Sequence, residues 1–286
     1  MKIEVKSTTK KLCIIGDPVE HSKSPYLQNA MCAALGLDYA YLWQQVSRGS
    51  LPDWLAAAKI AGYAGFNATM PHKEALLPLM DVLGEDAKRC GAVNTVCIRE
   101  GKLYGFNTDG AGFLAALTAA GISVAGQRVT LLGAGGAAKA LALKLAAAGA
   151  AGINICNRTA EHAQTLCAHD PEILHPAGFD LASLTRCAAE SDLLVNCTSL
   201  GMTGTAGQFE SFAFLEALPQ TAAVCDLIYA PDETEFLAAA RERGHRTMNG
   251  LGLLLHQAIL SLEYFTQTKL DAAEMVALLK EVNCPV

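Results

Sequence analysis

A chain of 286 residues is long enough for two domains or one large one, and either can bury a sizeable core. With 22 Lys and Arg against 28 Asp and Glu, the formal net charge is −6 and no basic stretch stands out, which argues against a nucleic-acid partner. The ten cysteines form no C-x-x-C pair; Cys13, Cys97, Cys156, Cys197 and Cys225 sit in apolar, strand-like runs, so free thiols in a reducing, cytoplasmic setting are expected.

The N-terminus (MKIEVKSTTKK) is mixed in charge and lacks the apolar core of a secretory signal. Residues 12–16 read as a first strand, followed by the loop DPVEHSKSP. Pro25 after Ser24 suggests an N-cap followed by a proline at the first helical position. Ser22 lies two residues earlier, and two hydroxyls beside a helix N-terminus also suit a small carboxylate, so capping and binding both stand open. A strand over 39–46 and a helix near 52–60 come next. GFNATMPHK (65–73) then reads as a short strand breaking into a proline-started helix. It sets Asn67, Thr69 and Lys73 at a strand's C-terminal end, where open α/β sheets bind ligands. His72 reads as a polar residue at the helix start. GAVNT (91–95) begins another strand, a hairpin turns at Glu100-Gly101, and GFNTDG (105–110) leads to Asp109, which either caps the helix over 111–120 or serves a site. Strand ends rich in Asn, Thr, Lys and Asp, in a 51% hydrophobic chain, suggest one polar site on an apolar scaffold. The uncharged stretch 110–127 carries Gly110, Gly112, Gly121 and Gly126, so a soluble helix and turn are expected there, with no membrane span.

The centre of the chain is VTLLGAGGAAKALALKLAAAGAAGINICNRT (129–159). An apolar run meets Gly133, Gly135 and Ala138, the G-x-G-x-x-G/A spacing that opens a dinucleotide-binding βαβ unit. Gly133 allows the tight turn, Gly135 the approach of a pyrophosphate to bare backbone, and Ala138 close helix–strand packing. The helix over 137–148 would offer its first free N–H groups to the phosphates. The second strand, 153–156, runs into Asn157-Arg158-Thr159, where an acidic residue would suit NAD; a guanidinium there favours NADP. Buried parallel-type strands at 192–197 and 222–228 follow, alternating with helical stretches as in a doubly wound sheet. A short strand near 246–250, an apolar helix over 251–265 and an amphipathic segment over 270–282 close the chain.

These pieces resemble the shikimate dehydrogenase family along nearly the whole chain. The motifs are HSKSP, FNATMPHK, GAVNT, NTDG, GAGGAA, NRT, NCTSLGM, the run from Asp226 to Tyr229, and NGLGLLLHQ. The resemblance implies an α/β fold: an N-terminal substrate domain over 1–110, completed by C-terminal helices 249–286, and a Rossmann-type NADP domain over 111–248. It implies NADPH-dependent, reversible reduction of 3-dehydroshikimate to shikimate in aromatic amino acid biosynthesis. Lys73 would be the acid/base and Asp109 its orienting partner. Ser22 and Ser24 would hold the substrate carboxylate, with Asn67, Thr69, Asn94, Asp109, Gln257 and Tyr229 around its hydroxyls. Cofactor contacts would come from Gly133, Ala134, Gly135, Gly136, Ala137, Asn157, Arg158, Thr159, Thr198, Leu227, Gly250 and Leu253.

The chemistry needs the same residue types on its own terms. Oxidising an alcohol takes a hydride acceptor, which the cofactor supplies, and a group for the hydroxyl proton. Ala68, Gln28 and Leu253 depart from the common pattern as tolerable changes. His162 stands where NADP-using relatives often carry a second arginine, which leaves NAD as a weaker alternative cofactor. A quinate- or aminoshikimate-type dehydrogenase is the alternative reading, and a non-catalytic NADP sensor a further one. No metal-ligand spacing is present, and a small-molecule substrate with a monomer or homodimer is expected.

Overall fold

A computed structural model describes residues 4–205 and 207–281, apart from the side chains of Lys280 and Glu281. It divides into two compact units: residues up to Gly112 together with those from Leu254, and Phe113–Leu253. Among the described residues no helix is long and apolar enough to cross a membrane.

In the first unit the chain runs β1 (Lys10–Gly16), α1 (Ser24–Ala34), β2 (Tyr39–Gln45), α2 (Leu51–Ile60), β3 (Tyr63–Ala68), β4 (Val82–Leu83), α3 (Glu85–Cys90), β5 (Thr95–Arg99), β6 (Lys102–Phe106) and the start of α4 (Asp109–Ala119). The sheet order is β2-β1-β3-β5-β6-β4. β1 pairs in parallel with β2 and β3, whereas β5 runs antiparallel to β3 and β6. The β5–β6 hairpin turns on Glu100 and Gly101, both with positive φ (49° and 75°), the geometry of a tight two-residue hairpin loop. Cys13 and Ile15 of β1 face one core cluster, and Leu12 and Ile14 face another. Burial on both faces explains why this strand reads as a continuous apolar run.

The second unit carries β7 (Arg128–Leu132), α5 (Gly136–Ala147), β8 (Gly152–Cys156), α6 (Ala160–Cys167), β9 (Leu174–Ala177), α7 (Leu181–Ala189), β10 (Leu193–Asn196), β11 (Ala223–Asp226), α8 (Glu235–Glu242) and β12 (Arg246–Met248). All its strands are parallel, in the order β12-β11-β10-β7-β8-β9. Counted from β7 this is the doubly wound order 3-2-1-4-5-6, whose switch point, where ligands bind, lies between β7 and β10. Helix α9 (Leu251–Thr266) and helix α10 (Ala272–Glu281) close the chain. From Leu254 onward they pack in the first unit, where Leu255, Ile259, Leu262, Met275 and Leu279 meet Leu27 and Met31 of α1.

Several local expectations need correction. Ser24 is not the N-cap of α1: it is the first helical residue, Lys23 holds the cap position, and no side chain caps it. Ser22 Oγ instead accepts the Ser24 N–H at 3.2 Å. The helix expected after Pro71 is only a turn and a 3-10 segment, Leu77–Leu79. Leu76 N–H reaches the His72 carbonyl, but Pro78 has no N–H with which to continue the ladder. His72 is fully buried, with Nε2 2.7 Å from the Val46 carbonyl oxygen. Asp109 begins α4, and its backbone N–H is taken by Asn107 Oδ1 at 3.1 Å. The strands β4 and β9 escaped the sequence reading because both are short edge strands; β9 contains Pro176. Of the amphipathic C-terminal segment, residue 282 lies outside the described residues.

Candidate active site

Strand ends converge at one edge of the first sheet. β1 ends at Gly16, where an added Cβ would come within 2.5 Å of Thr69 Cγ2, so the loops after β1 and β3 close up only over glycine. Asp17 N–H donates to the Met70 carbonyl and Val46 N–H to that of Gly16, both at 3.0 Å. Because β5 is reversed, its first residue lies at the same edge. Thr95 pairs with Asn67 of β3 and with Phe106 at the end of β6. The antiparallel turn thereby delivers Asn94 and the 107–109 segment to Lys73.

There Lys73 Nζ donates to Asp109 Oδ2 at 2.7 Å, and Asn94 Nδ2 donates to Asp109 Oδ1, also at 2.7 Å. The side chains of Lys73 and Asp109 are 24% and 12% exposed, so the pair is shielded yet reachable. Asn94 is itself pinned, its Oδ1 accepting the Thr108 N–H and the Thr95 hydroxyl, each at 2.9 Å. Asn67 is held from both ends. Tyr41 donates its hydroxyl to Oδ1 at 2.7 Å, and Nδ2 faces the Asn94 carbonyl, Thr95 Oγ1 and Ser261 Oγ. Burial holds the Tyr41 phenol well above its ordinary pKa, which keeps it a donor. An ammonium held beside an oriented carboxylate has the geometry to pass one proton to and from a substrate oxygen.

Other expected residues share this unit. Gln257 lies against the first turn of α4, where a Cβ on Gly112 would come within 2.6 Å of its backbone nitrogen; its amide donates to the Leu254 carbonyl at 2.8 Å. Ser22 and Thr69 stand half-buried in the loops after β1 and β3, and Ser24 is buried at the first position of α1.

In the second unit Gly133 has φ +111°, a conformation that favours glycine, and a side chain there would press on Thr198 Cγ2 at 3.0 Å. Helix α5 starts from Gly135 without a side-chain cap, and a Cβ at Gly135 or Gly136 would meet nothing within 4 Å. Ala138 is fully buried. This uncapped, unobstructed helix N-terminus at the switch point fits a pyrophosphate. Arg158 and Thr159 are exposed just past β8, and Asn157 Nδ2 bonds the Thr159 carbonyl at 2.9 Å. A Cβ on Gly250 would fall 2.1 Å from the Leu227 carbonyl oxygen, so those two backbones touch.

Two family models match this chain: a shikimate dehydrogenase substrate-binding domain over residues 14–96 and shikimate / quinate 5-dehydrogenase over residues 115–205. The shikimate dehydrogenase (NADP(+)) of Geobacter sulfurreducens is 42% identical over 264 residues, 90% of this chain and 91% of that one. The chain belongs to the shikimate dehydrogenase family. Among solved structures of 30% identity or more, the family's Listeria monocytogenes shikimate 5-dehydrogenase, in complex with shikimate and NAD, has a TM-score of 0.87 at 32% identity, covering 98% of this chain and 99% of its own. A 5-ketofructose reductase from Gluconobacter has a TM-score of 0.82 at 36% identity, covering 97% and 100%.

Some residues of the family motifs that matter here were not singled out from sequence. In NCTSLGM and the Asp226–Tyr229 run, Thr198, Leu227 and Tyr229 drew attention, but Asn196 and Asp226 hold that region. Asn196 Oδ1 accepts the N–H and hydroxyl of Thr198, and Asn196 Nδ2 donates to Asp226 Oδ1 at 3.1 Å. Asp226 also accepts from Ile228 N–H at 2.9 Å and the Thr234 hydroxyl at 2.7 Å. Burial raises its pKa, and these hydrogen bonds oppose the rise. Thr95 and Thr108 were visible as neighbours of Asn94 and Asp109, whereas Ser261, one turn beyond Gln257, lies outside every motif.

Proposed function

We propose that this protein is an oxidoreductase acting on a CH–OH group, which reversibly reduces 3-dehydroshikimate to shikimate with NADPH in aromatic amino acid biosynthesis. The Lys73–Asp109 pair, 2.7 Å apart and steadied by Asn94, carries this reading. The nicotinamide, when bound, supplies and accepts the hydride; the proton falls to the protein. As ammonium, Lys73 gives its proton to the C3 oxygen during reduction; as free amine it takes the hydroxyl proton during oxidation. Asp109 orients Lys73 and accepts a hydrogen bond from the substrate.

Ser22 and Ser24 bind the ring carboxylate, and Thr69, Gln257 and Tyr229 serve its hydroxyls. Asn67 acts toward substrate and on the network behind it, and Asn94, whose amide is taken up by Asp109, Thr108 and Thr95, acts through Asp109. The unit made of the described residues up to Gly112 and from Leu254 takes the substrate. Phe113–Leu253 takes the cofactor through Gly133 to Ala137, Asn157 to Thr159, Thr198, Leu227, Gly250 and Leu253. The thiols of Cys13, Cys97, Cys156, Cys197 and Cys225 are in no disulfide, which supports a cytoplasmic setting. The reading calls for no nucleic acid or membrane and holds for a monomer or a homodimer.

The test is purified protein with shikimate, quinate or 5-ketofructose and either nucleotide, followed by reduced-cofactor absorbance. The expected result is fastest turnover with shikimate and NADP. A preference for another substrate overturns the assignment, and NADP binding without any turnover overturns the enzyme.

A further inference from the structure

Ser261 on α9 is fully buried, and no motif drew attention to it. Its hydroxyl donates to the Gln257 carbonyl one turn earlier, at 2.8 Å. Its oxygen lies 2.9 Å from Thr95 Oγ1, 3.0 Å from Asn67 Nδ2 and 3.2 Å from Thr108 Oγ1.

Following the protons gives this cluster a direction. The two Asn94 Nδ2 protons go to Asp109 Oδ1 at 2.7 Å and Thr108 Oγ1 at 3.0 Å. Thr108 therefore accepts from Asn94 and must send its own proton elsewhere. Asn94 Oδ1 is 3.3 Å away, but its two lone pairs already take the Thr108 N–H and the Thr95 hydroxyl. Thr95 Oγ1 is farther still, at 3.5 Å. Ser261 Oγ is the acceptor that remains, and it is free to accept because its proton goes to the helix carbonyl. The chain thus runs from Asn94 through Thr108 and Ser261 into α9. This direction keeps the Asn94 N–H aimed at the Asp109 carboxylate; a reversed amide would turn a carbonyl on it.

We propose that Ser261 is a positioning residue for the Lys73–Asp109 pair, acting through Thr108 and Asn94. It also ties that pair to the turn of α9 bearing Gln257. The inference rests on the shikimate dehydrogenase reading of this site.

The experiment compares wild type, Ser261→Ala, Ser261→Cys and Thr266→Ala in shikimate oxidation, with thermal melts. Cysteine keeps the volume but bonds weakly. Thr266 makes the same one-turn bond on α9, to the Leu262 carbonyl at 2.8 Å, outside the cluster. Both Ser261 variants should lose about tenfold in kcat, the rate equivalent of one buried hydrogen bond, with KM for shikimate nearly unchanged. Thr266→Ala should turn over like wild type. Adding Thr108→Val to Ser261→Cys should cost little more than either change alone, because the two act as one unit. Wild-type kcat in Ser261→Ala, full recovery in Ser261→Cys, or a loss confined to KM would each overturn the proposal. If Ser261→Ala does not fold, Ser261→Cys decides. A wild type inactive on shikimate is seen before any variant is made, and it refutes the functional reading instead.

Discussion

Replacing Lys73 by alanine separates chemistry from architecture at this site. The ammonium donates to Asp109 Oδ2 at 2.7 Å, and the opposite carboxylate oxygen stays bonded to Asn94 after the change. The loop itself is fixed by the backbone bond from Val93 N–H to the Lys73 carbonyl at 2.7 Å, which alanine keeps. With side-chain exposures of 24% and 12%, the pair stands between an open surface bridge and a buried one. Its loss should therefore cost about 1–2 kcal/mol of stability. That shifts Tm by about 2–4 °C per kcal/mol in a protein of this size. A positioned acid/base contributes roughly 10²–10⁴-fold in rate, so kcat should fall by that factor in a protein still folded at assay temperature. The assay is the initial rate of NADP reduction with saturating shikimate, beside a melting curve. KM should change little, because Ser22 and Ser24 are untouched. Near-wild-type kcat, or a loss explained by unfolding at the assay temperature, would refute the acid/base role.

Ser22→Ala or Ser24→Ala should raise KM for shikimate more than it lowers kcat, since a hydrogen bond to a charged group is worth about 1.5–3 kcal/mol and the carboxylate is remote from C3. Steady-state kinetics decide this; a loss in kcat alone would assign the hydroxyls to the loop. For Asp226, whose pKa burial raises, folding favours the protonated form. Its contribution to stability is present below the ordinary Asp range and lost as pH rises through the raised value. Asp226→Asn should flatten this dependence, so that the variant gains on wild type in melting temperature from about pH 4 to about pH 8; parallel curves would contradict it.

The parallel nucleotide unit was legible because its signals are local: apolar runs, a glycine turn and an alanine-rich helix in register. The polar residues of the first unit were legible as types at strand ends, but their joining depends on the reversal of β5, a long-range pairing that no short window contains. Pro71 invited a helix, and Pro78, seven residues on, is what denies it. Ser24 read as a cap from its neighbour Pro25, whereas the acceptor comes from Ser22. Ser261 was invisible for a different reason. On an apolar helix a serine reads as a neutral substitution, and its worth lies wholly in partners from β3, β5 and the segment before α4.

The proposed cofactor choice rests on a short segment. β8 ends at Cys156, and Arg158 stands exposed in the two residues before Thr159, the N-cap of α6. No acidic residue follows the strand directly, and the Asn157 side chain is spent on shaping the turn through the Thr159 carbonyl. His162 is exposed in the first turn of α6, beside the equally exposed Glu161. On the proposed reading a 2′-phosphate meets one guanidinium in this segment, that of Arg158. One charge-assisted contact of about 1.5–3 kcal/mol corresponds to roughly one to two decades in affinity, which bounds the preference for NADP over NAD. Arg158→Ala should remove most of that preference and leave NAD almost untouched. His162→Arg should widen it, because a second guanidinium can share the phosphate where Glu161 now stands alone beside an imidazole. The measurement is kcat/KM for both nucleotides in wild type and the two variants. Equal losses for NADP and NAD in Arg158→Ala would mean that the arginine supports the turn and does not read the phosphate.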